Sequence, residues 1–261
     1  MMRGLLNDIF WIYWREMKKF FKHRIRIVTS MLQPFIWLVL MGSAMAGFVR
    51  SPEAIELIGT DNYLQFMAPG IMIMTALFGG VYGGTSIVWD RRLGFLNKLL
   101  TAPISRAAIP LGKLAAIVTQ SGIQVLAIVV IAMLMGVRVA SGFPGIVMLL
   151  AFAALFGMIM GGISLSLASV IKTMESLFAV MNFLTMPIMF TSNAIFPVAA
   201  MPGWLQIIAR INPLTYAVEP MRVLMLEGFV PGKVLPGFFI LVLLAVISAG
   251  VSIRMFNRSF G

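Results

Sequence analysis

The residues able to carry out covalent chemistry are few in this chain of 261 residues, and they are not grouped. There is no cysteine, which excludes disulfides, thiolate metal sites and cysteine nucleophiles. The one histidine, His23, sits in a basic segment, and no HExxH motif or Ser/His/Asp grouping accompanies it. A phosphate-binding loop of the form GxxxxGK(S/T) is missing too: Gly112-Lys113 is followed by Leu114, and the position five before Gly112 is Ala107. What remains is chemistry of recognition. It is densest between residues 90 and 106, where Asp90, Arg91, Arg92, Lys98 and Arg106 alternate with Leu93, Gly94, Phe95, Leu96, Leu99 and Leu100. One side of a short helix here is apolar, and Pro103 ends it because the residue before a proline disfavours the helical region. Two uses fit such a helix: packing beneath the body of the protein, or docking in the groove of another protein.

The elements that hold this segment are apolar rods. Six stretches lack Asp, Glu, Lys, Arg and His: 27–49, 64–89, 114–137, 145–170, 177–197 and 235–253. A helix needs about 20 apolar residues to cross a bilayer, and only helices and closed barrels satisfy their own backbone there. These runs are continuous rather than alternating, so the predicted fold is an all-α, multi-pass membrane protein with six transmembrane helices. Composition agrees, with 60% hydrophobic and 11% charged residues against about 25% charged in a soluble domain. The length suits a single membrane domain, 1–261, with no sizeable soluble domain fused to it.

The charge of +11 is a matter of topology. Fifteen of the 20 Lys and Arg residues fall on the N-terminal segment, the second and fourth loops and the C-terminus, and five on the alternate loops. The positive-inside rule therefore predicts a cell-membrane protein with both termini cytoplasmic. The basic excess is read as orientation and attraction to anionic lipid, not as a nucleic-acid footprint. The N-terminal apolar run is too long for a cleaved signal peptide. Within residues 1–26, Leu5, Leu6, Ile9, Tyr13, Met17, Phe20 and Phe21 recur at helical spacing, with Arg15, Lys18, Lys19 and Lys22 largely opposite. That pattern predicts an interfacial helix that anchors the chain, either alone or while also packing against a cytoplasmic partner.

The external region 198–234 is too apolar for a solvated loop and is interrupted by Pro202, Pro213, Pro220 and Pro231. Trp204, Leu205, Ile207, Ile208 and Ile211 predict one short amphipathic helix, and Thr215–Leu226 a second, both dipping into the outer leaflet. Gly79, Gly80, Gly83 and Gly84, with Gly157, Gly161 and Gly162, predict close helix packing within the bundle. Inside the spans there is no ionisable group of the kind that proton- or ion-coupled carriers keep. That counts against a stand-alone secondary carrier or channel, and the missing catalytic set against a lipid-processing enzyme. Uphill transport by this chain requires energy from a separate subunit.

The stretch Trp89-Asp-Arg-Arg-Leu-Gly-Phe-Leu-Asn-Lys-Leu-Leu-Thr-Ala-Pro-Ile-Ser-Arg106 resembles the cytoplasmic loop of ABC-2 type permeases. So does Phe196-Pro-Val-Ala-Ala-Met-Pro-Gly-Trp-Leu-Gln206, followed by Asn212-Pro-Leu-Thr-Tyr-Ala217 and Arg222. Daunorubicin-resistance and nodulation-export permeases are the most similar in character, and polysaccharide permeases more distant. The resemblance implies a non-enzymatic membrane subunit of an ABC exporter of lipophilic drugs or lipids, with lipid-linked polysaccharide the alternative cargo. It implies that 90–113 is a coupling loop whose Asp90, Arg91, Arg92, Leu93, Gly94, Phe95, Leu96, Leu99, Leu100 and Arg106 meet a separate ATP-binding subunit. ATP and magnesium belong to that subunit, and this chain holds no cofactor or metal. Two such subunits and two permeases, identical in a homodimer, make the exporter. Phe196, Pro197, Pro202, Trp204, Asn212, Pro213 and Tyr216 then belong to re-entrant helices closing the outer end of the path. Where many relatives carry an acidic residue just after the loop glycine, this chain has Phe95-Leu96-Asn97.

Overall fold

The computed structural model describes residues 2–45, 47 and 52–260, and among these every regular element is helical. The far end of the first expected span, residues 46, 48 and 49, lies outside the described residues, as does Arg50. Helix α1 (Met2–Lys22) and α2 (Arg24–Met45) are separated by His23 alone, and a short α3 (Pro52–Ile58) follows. Helices α4 (Tyr63–Gly83) and α5 (Thr85–Arg92) form one rod interrupted at Gly84, and α6 (Phe95–Thr101) folds back from its end. Next come α7 (Ala108–Leu134), α8 (Gly142–Val170) and α9 (Met174–Phe190). A turn of 3-10 helix, Val198–Ala200, leads to α10 (Gly203–Ile211), α11 (Pro213–Leu226) and α12 (Pro231–Phe260).

Among the described residues, five rods are long and apolar enough to cross a membrane: Ile27–Met45, Tyr63–Arg92, Ala108–Leu134, Gly142–Val170 and Pro231–Phe260. The remaining apolar helix, α9, has 17 residues. At 1.5 Å per residue it spans about 26 Å, short of a hydrocarbon core of about 30 Å. The apolar run 177–197 is thus helical only to Phe190, where Thr191 and Ser192 turn their hydroxyls onto the carbonyls of Pro187 and Met189.

At the other boundaries helices reach further than the apolar runs. The α4–α5 rod carries Asp90, Arg91 and Arg92 on its last turn, and α7 starts six residues before Leu114 and takes in Lys113. A rod that is apolar all round has no polar face to show, and burial decides its place. Helix α8 is the central pillar, packed against α4, α7 and α12, with α11 lying across α4, α8 and α12. Close approach depends on glycine. A Cβ at Gly80 would stand 2.6 Å from Met160 Cβ, and one at Gly162 2.9 Å from the Ser248 backbone. Helix α2 leans on α4 and α7 and leaves Ile25, Val28, Leu32, Ile36 and Leu40 exposed.

Candidate functional site

The segment richest in recognition chemistry lies at the end of the α4–α5 rod. Helix α5 stops at Leu93, and Gly94 reverses the chain with φ +69, a left-handed conformation that costs a side-chain-bearing residue about 1–2 kcal/mol. Helix α6 then runs back until Ala102 turns extended ahead of Pro103. This hairpin splits the apolar side anticipated from sequence. Leu96 is buried at 1% exposure and Leu99 and Leu100 pack on the core, whereas Leu93 at the tip is 72% exposed. Trp89 is also exposed, with the Arg92 guanidinium 5.7 Å from its ring centre.

Asp90 and Arg91 point inward, whereas Lys98 is exposed. The Arg91 guanidinium donates to the carbonyls of Ala168 (3.2 Å), Ser169 (2.8 Å) and Ile171 (2.9 Å). These are orphan acceptors at the end of α8, where a cation also complements the helix dipole. Asp90, 2% exposed, lies in a network of five charges from three helices. Lys113 Nζ of α7 donates to Asp90 Oδ2 at 2.7 Å, to Glu16 Oε1 of α1 at 3.1 Å and to Ser86 Oγ at 3.1 Å. Arg15 grips Asp90 with both terminal nitrogens, one of them at 3.1 Å, and lies over the Phe95 ring at 3.8 Å. Lys19 Nζ stands 3.2 Å from Asp90 and 3.4 Å from Glu16. Burial alone raises the Glu16 carboxyl, but Lys113, Lys19 and Arg15 outweigh both burial and the Asp90 charge and hold it below its ordinary value.

Helix α1 is seated on this junction along much of its length. Asp8 Oδ2 accepts the Ser105 backbone N–H at 3.0 Å, and a Cβ on Gly112 would meet Ile12 at 2.7 Å. Its opposite face exposes Phe10, Trp11, Trp14 and Phe21. Arg15 and Lys19, assigned from periodicity to the headgroup side, are therefore drawn into the junction by Asp90 and Glu16. Arg106 is exposed and stands apart from the cluster.

The residues expected from sequence to be external sit at the other end of the α4–α5 rod. Asn212 accepts the Leu214 N–H at 2.8 Å as N-cap of α11, and its Nδ2 donates to Ile188 O (2.7 Å) and Thr191 Oγ1 (2.9 Å). It thereby pins the α10–α11 corner, with Pro213 in the first turn, to the end of α9. Tyr216 packs on the core, whereas Phe196 and Trp204 are exposed and Pro197 and Pro202 precede the 3-10 turn and α10. Arg222 of α11 donates to Phe66 O (3.2 Å) and Asn193 O (2.8 Å) and stacks on the Phe66 ring at 3.8 Å. Between the two ends, Phe20 of α1 together with α2, α4, α7 and the α9 end lines a partly open cavity of about 280 Å³.

Sequence reasoning passed over Glu16 and Lys113. The available signal was Glu16 itself, an acid isolated among the Lys and Arg residues of the N-terminal segment.

Fold and junction together define a multi-span helical membrane protein that presents a charged, glycine-turned hairpin at one end. The ABC-2 type transporter family matches residues 7–226, and the chain belongs to that family. It is similar to a Cyanophora paradoxa protein described by name only as a transport permease, ycf38, with 36% identity over 222 residues covering 84% of this chain and 74% of that protein. It is also similar to the daunorubicin resistance ABC transporter permease protein DrrB1 of Streptomyces coeruleorubidus, 28% identical over 212 residues, or 81% and 72% of the two chains. Nodulation protein J of Rhizobium meliloti is 22% identical over 204 residues, covering 77% and 74%.

Proposed function

We propose that the chain is the membrane subunit of an ATP-driven exporter that moves a lipophilic drug-like or lipid-type molecule outward. In this reading α9 is the fifth and shortest of six spans, and both termini face the cytoplasm of the cell membrane. A separate ATP-binding subunit, with its ATP and magnesium, docks on the α5–α6 hairpin, and two copies of each subunit form the transporter. The observation that carries the reading is the hairpin itself. An exposed Leu93 at its tip is joined through Asp90 to Lys113 of α7 and Arg15 of α1, so a push on the tip is delivered to two helices at once. Closure of the paired ATP-binding subunits presses on Leu93, the junction moves as one body, and the bundles rock to open the path outward. The re-entrant α10–α11 corner closes the outer end, and the apolar cavity between the ends supports a lipophilic cargo.

The test is purification of the tagged chain from its own membranes, with Leu93→Glu alongside. An ATP-binding subunit co-purifies with the unaltered chain, and its hydrolysis rises with transported amphiphile. Leu93→Glu reduces co-purification or stimulated hydrolysis at least about tenfold, because a docked tip buries an apolar side chain and not a carboxylate. Transport by the chain alone, or assembly and stimulation unchanged by Leu93→Glu, overturns the reading.

A further inference from the structure

The cavity between α2, α4, α7 and the α9 end has a lining unusual for its depth. Its walls are apolar along Trp37, Ile71, Phe78 and Phe190, and no Asp, Glu, Lys, Arg or His is among its lining residues. Three glutamines face it all the same: Gln33 from α2, and Gln120 and Gln124 from α7. Gln124 is committed within the protein, donating to Ser30 Oγ at 2.9 Å. Gln33 is exposed and Gln120 half-buried, and among the described residues neither side-chain amide has a protein partner.

Position makes those amides informative. Gln33 lies about 14 Å along α2 from its start at Arg24, and Gln120 about 10 Å along α7 from Lys113. Both are set back from the charged end by a good part of one leaflet, where an unpaired amide has no water to turn to. Each amide offers two donors and one carbonyl acceptor, and neither carries charge. An ionic head group arriving here loses its hydration without meeting a counter-charge. A neutral head group with hydroxyl, ester or amide oxygens exchanges hydrogen bonds instead. From Tyr82 to Met67 the α4 wall runs about 22 Å, giving an alkyl chain an apolar track beyond the amides.

We infer that this cavity is a binding site for an amphiphile with an uncharged, oxygen-rich head group, held by the Gln33 and Gln120 amides with its tail along α4. The inference rests on the transport reading above and narrows its cargo by charge. Cationic and anionic amphiphiles of the same chain length are poor ligands.

The experiment uses the full chain in phosphatidylcholine nanodiscs, without any ATP-binding subunit. Three probes share one diazirine-bearing hexadecyl chain and differ in the head: a glucoside, a phosphate and a trimethylammonium. Photolabelling is mapped by mass spectrometry and competed with the unlabelled probe. The glucoside labels peptides of α4 and the α9 end saturably, while the charged probes label in proportion to their lipid partitioning only. Gln33→Leu with Gln120→Leu weakens saturable glucoside binding about tenfold or more, the loss of two hydrogen bonds, and leaves helicity unchanged. Equal saturable labelling by a charged probe overturns the inference, as does unchanged glucoside binding in the double variant. A double variant that keeps glucoside binding but separates cross-linked copies of the chain assigns the amides to a contact between copies, and overturns it too. Because no ATP-binding subunit is present, failure here leaves the transport reading standing. Saturable glucoside binding by a chain that never assembles with such a subunit does the reverse.

Discussion

Replacing Lys113 by methionine removes the cation at the centre of the α1–α5–α7 junction while keeping a flexible side chain of similar length. The Lys113 side chain is 1% exposed, with its ammonium 2.7 Å from Asp90 and 3.1 Å from Glu16. Its loss leaves two carboxylates facing each other with Arg15 and Lys19 alone to balance them. Removing one partner of a buried pair costs about 3–5 kcal/mol. The remaining cations have side chains 23% and 43% exposed and lie nearer water, but they hold Asp90 in part, so the lower end applies, about 3 kcal/mol. At about 2–4 °C per kcal/mol for a chain of this size, the midpoint falls by about 6–12 °C. The assay is thermal unfolding in matched detergent at a fixed scan rate, followed by tryptophan fluorescence, because membrane-protein melts are rate-dependent. Asp90→Asn and the double variant complete a cycle. Asn and Met together cost less than the sum of the two single changes, since each single change leaves a charge stranded that the double does not. A Lys113→Met midpoint within 2 °C of the parent, or strict additivity in the cycle, refutes the placement of a shared ionic junction.

Three further outcomes follow from the same structure. Glu16 is held below its ordinary value of 4.5, so its contribution to stability is complete above that value and is lost as pH falls through the lower folded value. Melting midpoints should drop below about pH 4.5 in the parent, and Glu16→Gln should start lower and lose that part of the drop. At Gly80 a side chain meets Met160 and the α8 backbone, so Gly80→Val separates α4 from α8. It should cost at least about 1–3 kcal/mol and reduce the monodisperse fraction on gel filtration. Asn212→Ala removes an N-cap and both bonds to the end of α9, for a loss of about 1–2 kcal/mol. Protease should cut between α9 and α11 sooner, as seen by mass spectrometry of timed digests.

The rods were legible in the sequence because lipid imposes one demand, an unbroken apolar run, and that demand is local. Their ends were not. Lys113 was placed in a loop because an apolar run closes at the nearest charge, whereas the helix continues through a charge once a distant carboxylate neutralises it. Two carboxylates do so here, Asp90 at 23 residues and Glu16 at 97 residues from Lys113. Periodicity along α1 assigned Arg15 and Lys19 to the headgroup side for the same reason. The hairpin was legible in outline from Pro103 and the mixed charges, but not its tip. Leu93 and Leu96 look equivalent until the left-handed turn at Gly94 sends one outward and the other into the core. At α9 the composition promised a longer helix than the hydroxyls of Thr191 and Ser192 allow.

Helix α2 differs from its neighbours in what touches it. Its outward flank, Ile25, Val28, Leu32, Ile36 and Leu40, is exposed in the single chain, while the central α8 is enclosed by α4, α7 and α12. A helix bathed mainly in acyl chains takes its tilt from membrane thickness as much as from its own bundle. The same rod supplies Gln33 and Trp37 to the cavity wall. The width of the chamber is therefore tied to the lipid around it: a thicker or thinner bilayer re-tilts that wall against a stationary pillar.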